Sequence, residues 1–198
     1  MKYNPQKHHR TSIRMKGYDY SQPGLYFITI CTQNRDHYFG EIHNGKMVLS
    51  PMGVLADILW YEIPHHTQFV ALGDFVVMPN HIHGILIIDK PDDEIAEVGS
   101  LHATSPQSPQ SPQFPQSPQQ PQKNQKMSDI SPKSKSVSSI IRSYKSAVTF
   151  HGNRLGLNNG WQSRFHDHII RNEQSYQNIS NYIINNPARW NNDKIYKK

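Results

Sequence analysis

Two imidazoles at alternate positions, His81 and His83, sit in the apolar run MPNHIHGILII spanning 78–88. Residues i and i+2 of a strand leave the same face, about 6.5–7 Å apart along the chain. Each can offer a neutral ring nitrogen to a shared cation, a use that an apolar strand otherwise does not have for histidine. Hydrogen-bonded structural histidines at a sheet edge would show the same spacing. Two ligands hold a catalytic metal poorly, so a third donor is expected elsewhere. In SNYIINN (180–186), Tyr182 and Asn186 stand at i and i+4 and share one helical face. The Asn186 amide oxygen would complete a mixed nitrogen and oxygen set suited to Mg²⁺ or Mn²⁺ rather than to a thiol-seeking metal. Tyr182 would then stand one turn from the ion. A phenol with an unperturbed pKa of about 10 is a weak nucleophile unless its deprotonation is assisted, but a metal-bound phosphodiester is a better electrophile. Simple helix packing of Tyr182 and Ile183 is the plainer explanation. Tyr176 competes for the role, yet its i+4 neighbour is Ser180, not a ligand.

These side chains need a sheet and a helix to hold them. Leu25–Thr32 (LYFITICT) is aromatic and β-branched after Pro23-Gly24 and reads as a buried strand. Asn44-Gly45 between FGEI and KMVL is a hairpin signal, since both turn positions tolerate positive φ. Ser50 offers a cap and Pro51 suits the first helical position, with Val54, Leu55, Ile58 and Leu59 spacing a helix that ends before Pro64. Phe69–Val77 and His81–Ile88 form two further strands around the turn Met78-Pro79-Asn80. Val137, Ile140, Ile141, Tyr144 and Val148 space a second helix with Gly152 as its stop. Trp161–Ile170 reads as a strand, and Glu173–Asn186 as a last helix halted by Pro187. With the hairpin set aside, the order predicts an α+β fold. It is a ferredoxin-like βαββαβ antiparallel sheet with helices on one face, plus a C-terminal helix bearing the tyrosine.

The stretch from about 91 to 136 differs in kind, because Pro recurs at about every third residue from Pro106 to Pro121. Proline lacks an amide donor and fixes φ, so the expectation is a solvated, polyproline-like or disordered insertion that builds no core. A ligand for a proline-recognition domain is the rival reading, weakened by the lack of basic anchors before Lys123 and Lys126. Neither flank alone has the apolar surface to fold, so residues 23–198 are expected to form one domain interrupted by the insertion, behind a basic arm over 1–22. A net charge of +6 and a pI near 9.4 favour a polyanionic partner, although a solvated basic surface has the same composition. The single cysteine, Cys31, excludes an internal disulfide and fits a reducing compartment as a small apolar strand residue. No apolar run approaches the roughly 18 residues of a membrane span, and no apolar segment follows the N-terminal charges, so a soluble cytoplasmic protein is expected.

Taken together, LYFITICTQNR, FVVMPNHIHGILII and WQSRFHDHIIRNEQSYQNISNYIINNPARW resemble, in that order, the REP-associated tyrosine transposases within the HUH single-strand nucleases and transposases. The similarity spans nearly all of 10–190 outside the insertion, which departs from the family pattern. The resemblance implies His81 and His83 as metal ligands, Asn186 at the third-ligand position and Tyr182 as nucleophile. It also implies cleavage and rejoining of single-stranded DNA at hairpin-forming, palindromic repeats through a 5′-phosphotyrosine, by a monomer or homodimer. Strand contacts would then come from Arg10, Arg14, Lys16, Tyr18 and Tyr20, which mix cations with rings, and from Arg142, Lys145 and Arg171. His166 and His168 share one face of their strand, flank Asp167, and remain structural or DNA-facing. Two rival classes stand beside this reading. One is a hydrolase with His81, His83, His166 and His168 as a two-metal cluster; the other is a non-cleaving DNA-binding protein on the same fold.

Overall fold

A computed structural model describes residues 15, 17–91 and 135–192. The expectations placed on Arg10, Arg14, Lys16 and on the insertion between 92 and 134 fall outside the described residues.

The two strands richest in apolar residues lie innermost. β1 (Gly24–Cys31) and β5 (His81–Ile88) pair along their whole lengths, with β4 (Val70–Met78) outside β5 and β6 (His166–Ile170) outside β1. The order β4-β5-β1-β6 is antiparallel throughout. Setting aside a separate hairpin, this is the ferredoxin-like arrangement. β1 from the first half thus sits between β5 and β6, which flank the insertion. The hairpin is β2 (Gly40–His43) with β3 (Lys46–Leu49), turned through Asn44 (φ 52°) and Gly45 (φ 72°) as the Asn-Gly pair predicts.

Strand alternation gives the sheet two different faces. Tyr26, Ile28, Ile30, Ile82, Leu86 and Ile88 point to one, where they bury against α1 (Pro51–Tyr61) and α3 (Val137–Arg154). A short α2 (Ile63–His66) follows α1. Ser50 caps α1 by accepting from the Gly53 amide at 3.0 Å, with Pro51 at the first position as expected. The buried face of α1 is different from the one its aliphatic residues suggest: Met52, Ala56 and Trp60 are buried, whereas Val54 and Ile58 are exposed. Trp60 decides this, because the indole buries more area than either aliphatic and lies over Gly84. The stop expected at Gly152 is also displaced. α3 runs on to Arg154, and Gly156, with φ 68°, follows the cap instead. Gly152 is buried inside the helix, where an added Cβ would lie 3.0 Å from Met52 Sδ. The last strand is shorter than expected, since only His166–Ile170 pairs with β1 and Trp161 makes a single bridge to Thr32.

The opposite face carries α4 (Glu173–Asn185), followed by a 3₁₀ turn over Pro187–Asn192. Asn172 caps α4 by accepting from the Ser175 amide at 2.8 Å. Ile183 is buried against Ile85 and Ile170, with Phe27, Tyr176 and Ile179 around them. A bulge between Leu72 and Phe75 interrupts β4 and lets Asp74 accept a hydrogen bond from Ser180, which fixes α4 along its own axis. His81 and His83 belong to this face, because Ile82 and Gly84 face α1 and α3.

Gly84 lets the two layers approach closely, since a Cβ there would lie 2.4 Å from Trp60 Cζ2. Gly84→Ala should therefore lower stability by about 1–3 kcal/mol in chemical denaturation. Adding Trp60→Phe should recover part of that loss, because the two changes share one contact.

Candidate active site

His81 and His83 stand side by side in the interior of the sheet, 0% and 2% exposed, with ring centroids 4.4 Å apart. They are not edge residues. Buried imidazoles need partners, and here each has one at Nδ1. Thr29, directly across from His83 on β1, places Oγ1 2.9 Å from His83 Nδ1. Asn80, fully buried, places Oδ1 2.9 Å from His81 Nδ1. The amide orientation of Asn80 follows from its other contact: Nδ2 donates to the Arg35 carbonyl at 3.3 Å, which can only accept. Oδ1 is therefore the atom facing His81, Nδ1 of His81 carries the proton, and Nε2 carries the lone pair.

α4 completes the site from above. The Tyr182 hydroxyl is 3.2 Å from His83 Nε2, and its ring meets Phe27 edge-on at 6.2 Å. In the tautomer that a metal ligand needs, the hydroxyl donates to His83 Nε2 and Nδ1–H donates to Thr29 Oγ1. Tyr182 remains 39% exposed, so its oxygen is reachable from outside although its helix is anchored by Ile183 and Ser180. Asn186 lies one turn further on the same side and is 2% exposed. Trp190 of the 3₁₀ turn stacks on His81 at 5.9 Å and closes that end. Tyr176, the competing tyrosine, packs instead with Ile85 and Ile183 beside Gly73.

Among the described residues His81 Nε2 is buried without a hydrogen-bond partner, a costly state for an imidazole acceptor unless something coordinates it. Burial first, then neighbouring His83 and Arg35, push the His81 pKa well below the usual histidine range, so the ring is neutral as a ligand must be. Two imidazoles and a carboxamide are donor types that a small divalent cation accepts. Among the described residues no three His, Cys, Asp or Glu side chains converge to hold a metal, so His81, His83, His166 and His168 do not form the four-histidine cluster of a two-metal hydrolase. His166 and His168 instead lie exposed on the edge strand, paired across from Thr29 and Phe27.

The basic and aromatic candidates are spread out. Tyr18 and Tyr20 are half-buried, packed with Tyr26 at 6.5 and 6.0 Å, and the Tyr18 and Tyr26 hydroxyls are 3.2 Å apart. Lys145 donates to the Gln162 carbonyl at 2.6 Å beneath the Trp161 ring, and burial draws its pKa down against an opposing pull from Cys31. Lys145 and exposed Arg142 both belong to α3, across the sheet from the histidines. Arg171 is exposed and lines a cavity of about 410 Å³ with Tyr20, His168 and Asn172. Asn80, Thr29, Arg35 and Trp190 were absent from the sequence-based site. Asn80 reads as a turn residue, and Thr29 becomes a neighbour only once strand register is known.

Comparison with known proteins places the chain in context. It is 37% identical over 198 residues to an uncharacterized protein of Haemophilus influenzae, covering 98% of this chain and 97% of that one. The chain belongs to that protein's family. No family model matches it. Among solved structures it is similar to a REP-associated tyrosine transposase bound to a REP hairpin, with a TM-score of 0.53 and 19% identity over 89% of this chain and 73% of the other. At that identity the likeness speaks for a shared α+β fold. No helix among the described residues is long and apolar enough to cross a membrane.

The depressed pKa of His81 has a consequence for folding. The unfolded chain takes up a proton on this residue near pH 6.5 and the folded chain does not, so its contribution to stability is complete above that pH and is lost as pH falls below it. Denaturation between pH 7.5 and 5.5 should show stability falling by up to about 1.4 kcal/mol per pH unit from this group, with a shallower slope in His81→Gln. Equal slopes in the two proteins would contradict the buried neutral ring.

Proposed function

We propose that the chain is a transposase-like strand transferase that cleaves and rejoins single-stranded DNA at hairpin-forming repeats through a 5′-phosphotyrosine on Tyr182. The observation that carries the reading is the 3.2 Å approach of the Tyr182 hydroxyl to His83 Nε2, on a helix otherwise locked to the sheet. A reachable phenol held against the His83 imidazole, beside a second buried imidazole, suits nucleophilic attack on phosphorus better than hydrolysis by water. His81, His83 and Asn186 would hold Mg²⁺ or Mn²⁺, which when bound polarises the phosphate as a Lewis acid. The Tyr182 oxygen forms the new bond to phosphorus as the bond to the 3′-oxygen breaks. The proton lost by the phenol balances the one gained by the leaving 3′-OH. Phosphodiester energy is retained in the tyrosyl ester, so attack by another 3′-OH reverses the step at a new junction without ATP. The net charge of +6 and the likeness to a hairpin-bound transposase support a nucleic-acid partner, with the cytoplasm as the place of action.

Incubation with end-labelled single-stranded hairpin DNA and Mn²⁺ should yield a protein–DNA adduct that survives denaturant and disappears in Tyr182→Phe. Asn80→Ala, which leaves both histidines in place but frees the His81 ring, should slow adduct formation about 10- to 100-fold. Nicked DNA without adduct would favour a hydrolase, and retention of DNA without cleavage would favour a non-cleaving binder.

A further inference from the structure

The segment after β1 is held in an unusual backbone shape beside the histidines. Asn34 (φ 54°, ψ 8°) and Arg35 (φ 60°) are consecutive left-handed residues, a conformation that asparagine tolerates and arginine rarely adopts. Three contacts impose it. The Arg35 amide donates to the Thr32 carbonyl at 3.2 Å, the Asp36 amide donates to the Gln33 carbonyl at 3.1 Å, and Asn80 Nδ2 donates to the Arg35 carbonyl at 3.3 Å. That last donor is the side chain that also orients His81, so the loop and the ligand move as one unit. Backbone strain of this kind persists where the surrounding structure over-determines it, and it concentrates at functional sites.

The shape delivers a charge. Arg35 Nη1 is shielded from solvent and, among the described residues, has no hydrogen-bond partner. The adjacent carboxylate, Asp36, is engaged by the Tyr38 hydroxyl at 3.1 Å. Arg35 lies close enough to His81 to act on it electrostatically. A shielded donor nitrogen without an acceptor is costly, and the guanidinium's fork of donors matches two oxygens of a phosphate. We infer that Arg35 grips the non-bridging oxygens of the DNA phosphate that Tyr182 attacks, supplying a fixed positive charge where negative charge builds up. This rests on the strand-transfer reading above and names the residue that binds its substrate.

The test compares wild type, Arg35→Gln and Arg35→Lys on hairpin DNA carrying either a normal phosphodiester or a neutral methylphosphonate at the cleavage position. With the phosphodiester, Arg35→Gln should form adduct about 100- to 1000-fold more slowly than wild type, with partial recovery in Arg35→Lys. With the methylphosphonate, the gap between wild type and Arg35→Gln should close, which a merely structural arginine would not produce. Equal rates on the phosphodiester, or an equal loss on both substrates, would overturn the inference. If wild type forms no adduct at all, the strand-transfer reading fails, and binding of the same strand then decides Arg35 separately. Its logarithmic salt dependence should fall by about one charge in Arg35→Gln, and an unchanged slope would overturn the phosphate grip.

Discussion

The site depends on two hydrogen bonds made behind the imidazoles, away from the face they serve. Thr29 to His83 and Asn80 to His81 each occupy an Nδ1, so in both rings Nε2 is the nitrogen left over, and that of His83 meets Tyr182 on α4. Without them two histidines in the middle of a sheet would be buried polar groups free to choose either tautomer, and their desolvation would work against the fold. With them the pair is a preorganised donor set. The arrangement is economical in sequence terms, because Asn80 adjoins His81 and Thr29 is the direct cross-strand partner of His83.

Division of labour between the sheet faces follows from strand alternation. One face carries Tyr26, Ile28, Ile30, Ile82 and Leu86 into a continuous core with α1 and α3 and provides most of the apolar burial. The other is covered by a smaller cluster around Ile85, Ile170 and Ile183, which leaves room beside it for polar chemistry. A helix held by so small a cluster needs a specific stop, and Asp74 on the β4 bulge supplies it through Ser180. The stop matters because sliding α4 by one residue would carry Tyr182 away from His83.

Much of this was legible in the chain itself. Alternation in HIHGILII placed both histidines on one face, Asn44-Gly45 announced the hairpin, and the order of elements gave the ferredoxin-like topology. The i, i+4 relation of Tyr182 and Asn186 correctly put them on one side of a helix, although nothing in that spacing could say that the helix would cross over the histidines. What escaped depends on contacts between distant segments. The preference for Trp60 over Val54 and Ile58 on α1 is set by the absence of a side chain at Gly84, and Gly152 proved to be a packing residue against Met52, not a stop. Nothing in the spacing of residues marks Arg35, because its left-handed backbone and the tie of its carbonyl to Asn80 exist only in the folded chain.

The claim at the centre of this account is that both imidazoles are neutral with the lone pair on Nε2, that of His83 facing Tyr182. Long-range ¹H–¹⁵N correlation spectra of the histidine rings in the metal-free protein at neutral pH test it directly. The account predicts protonated Nδ1 and unprotonated Nε2 for His81 and for His83. A proton on Nε2 of either ring, or a doubly protonated His83, would contradict it.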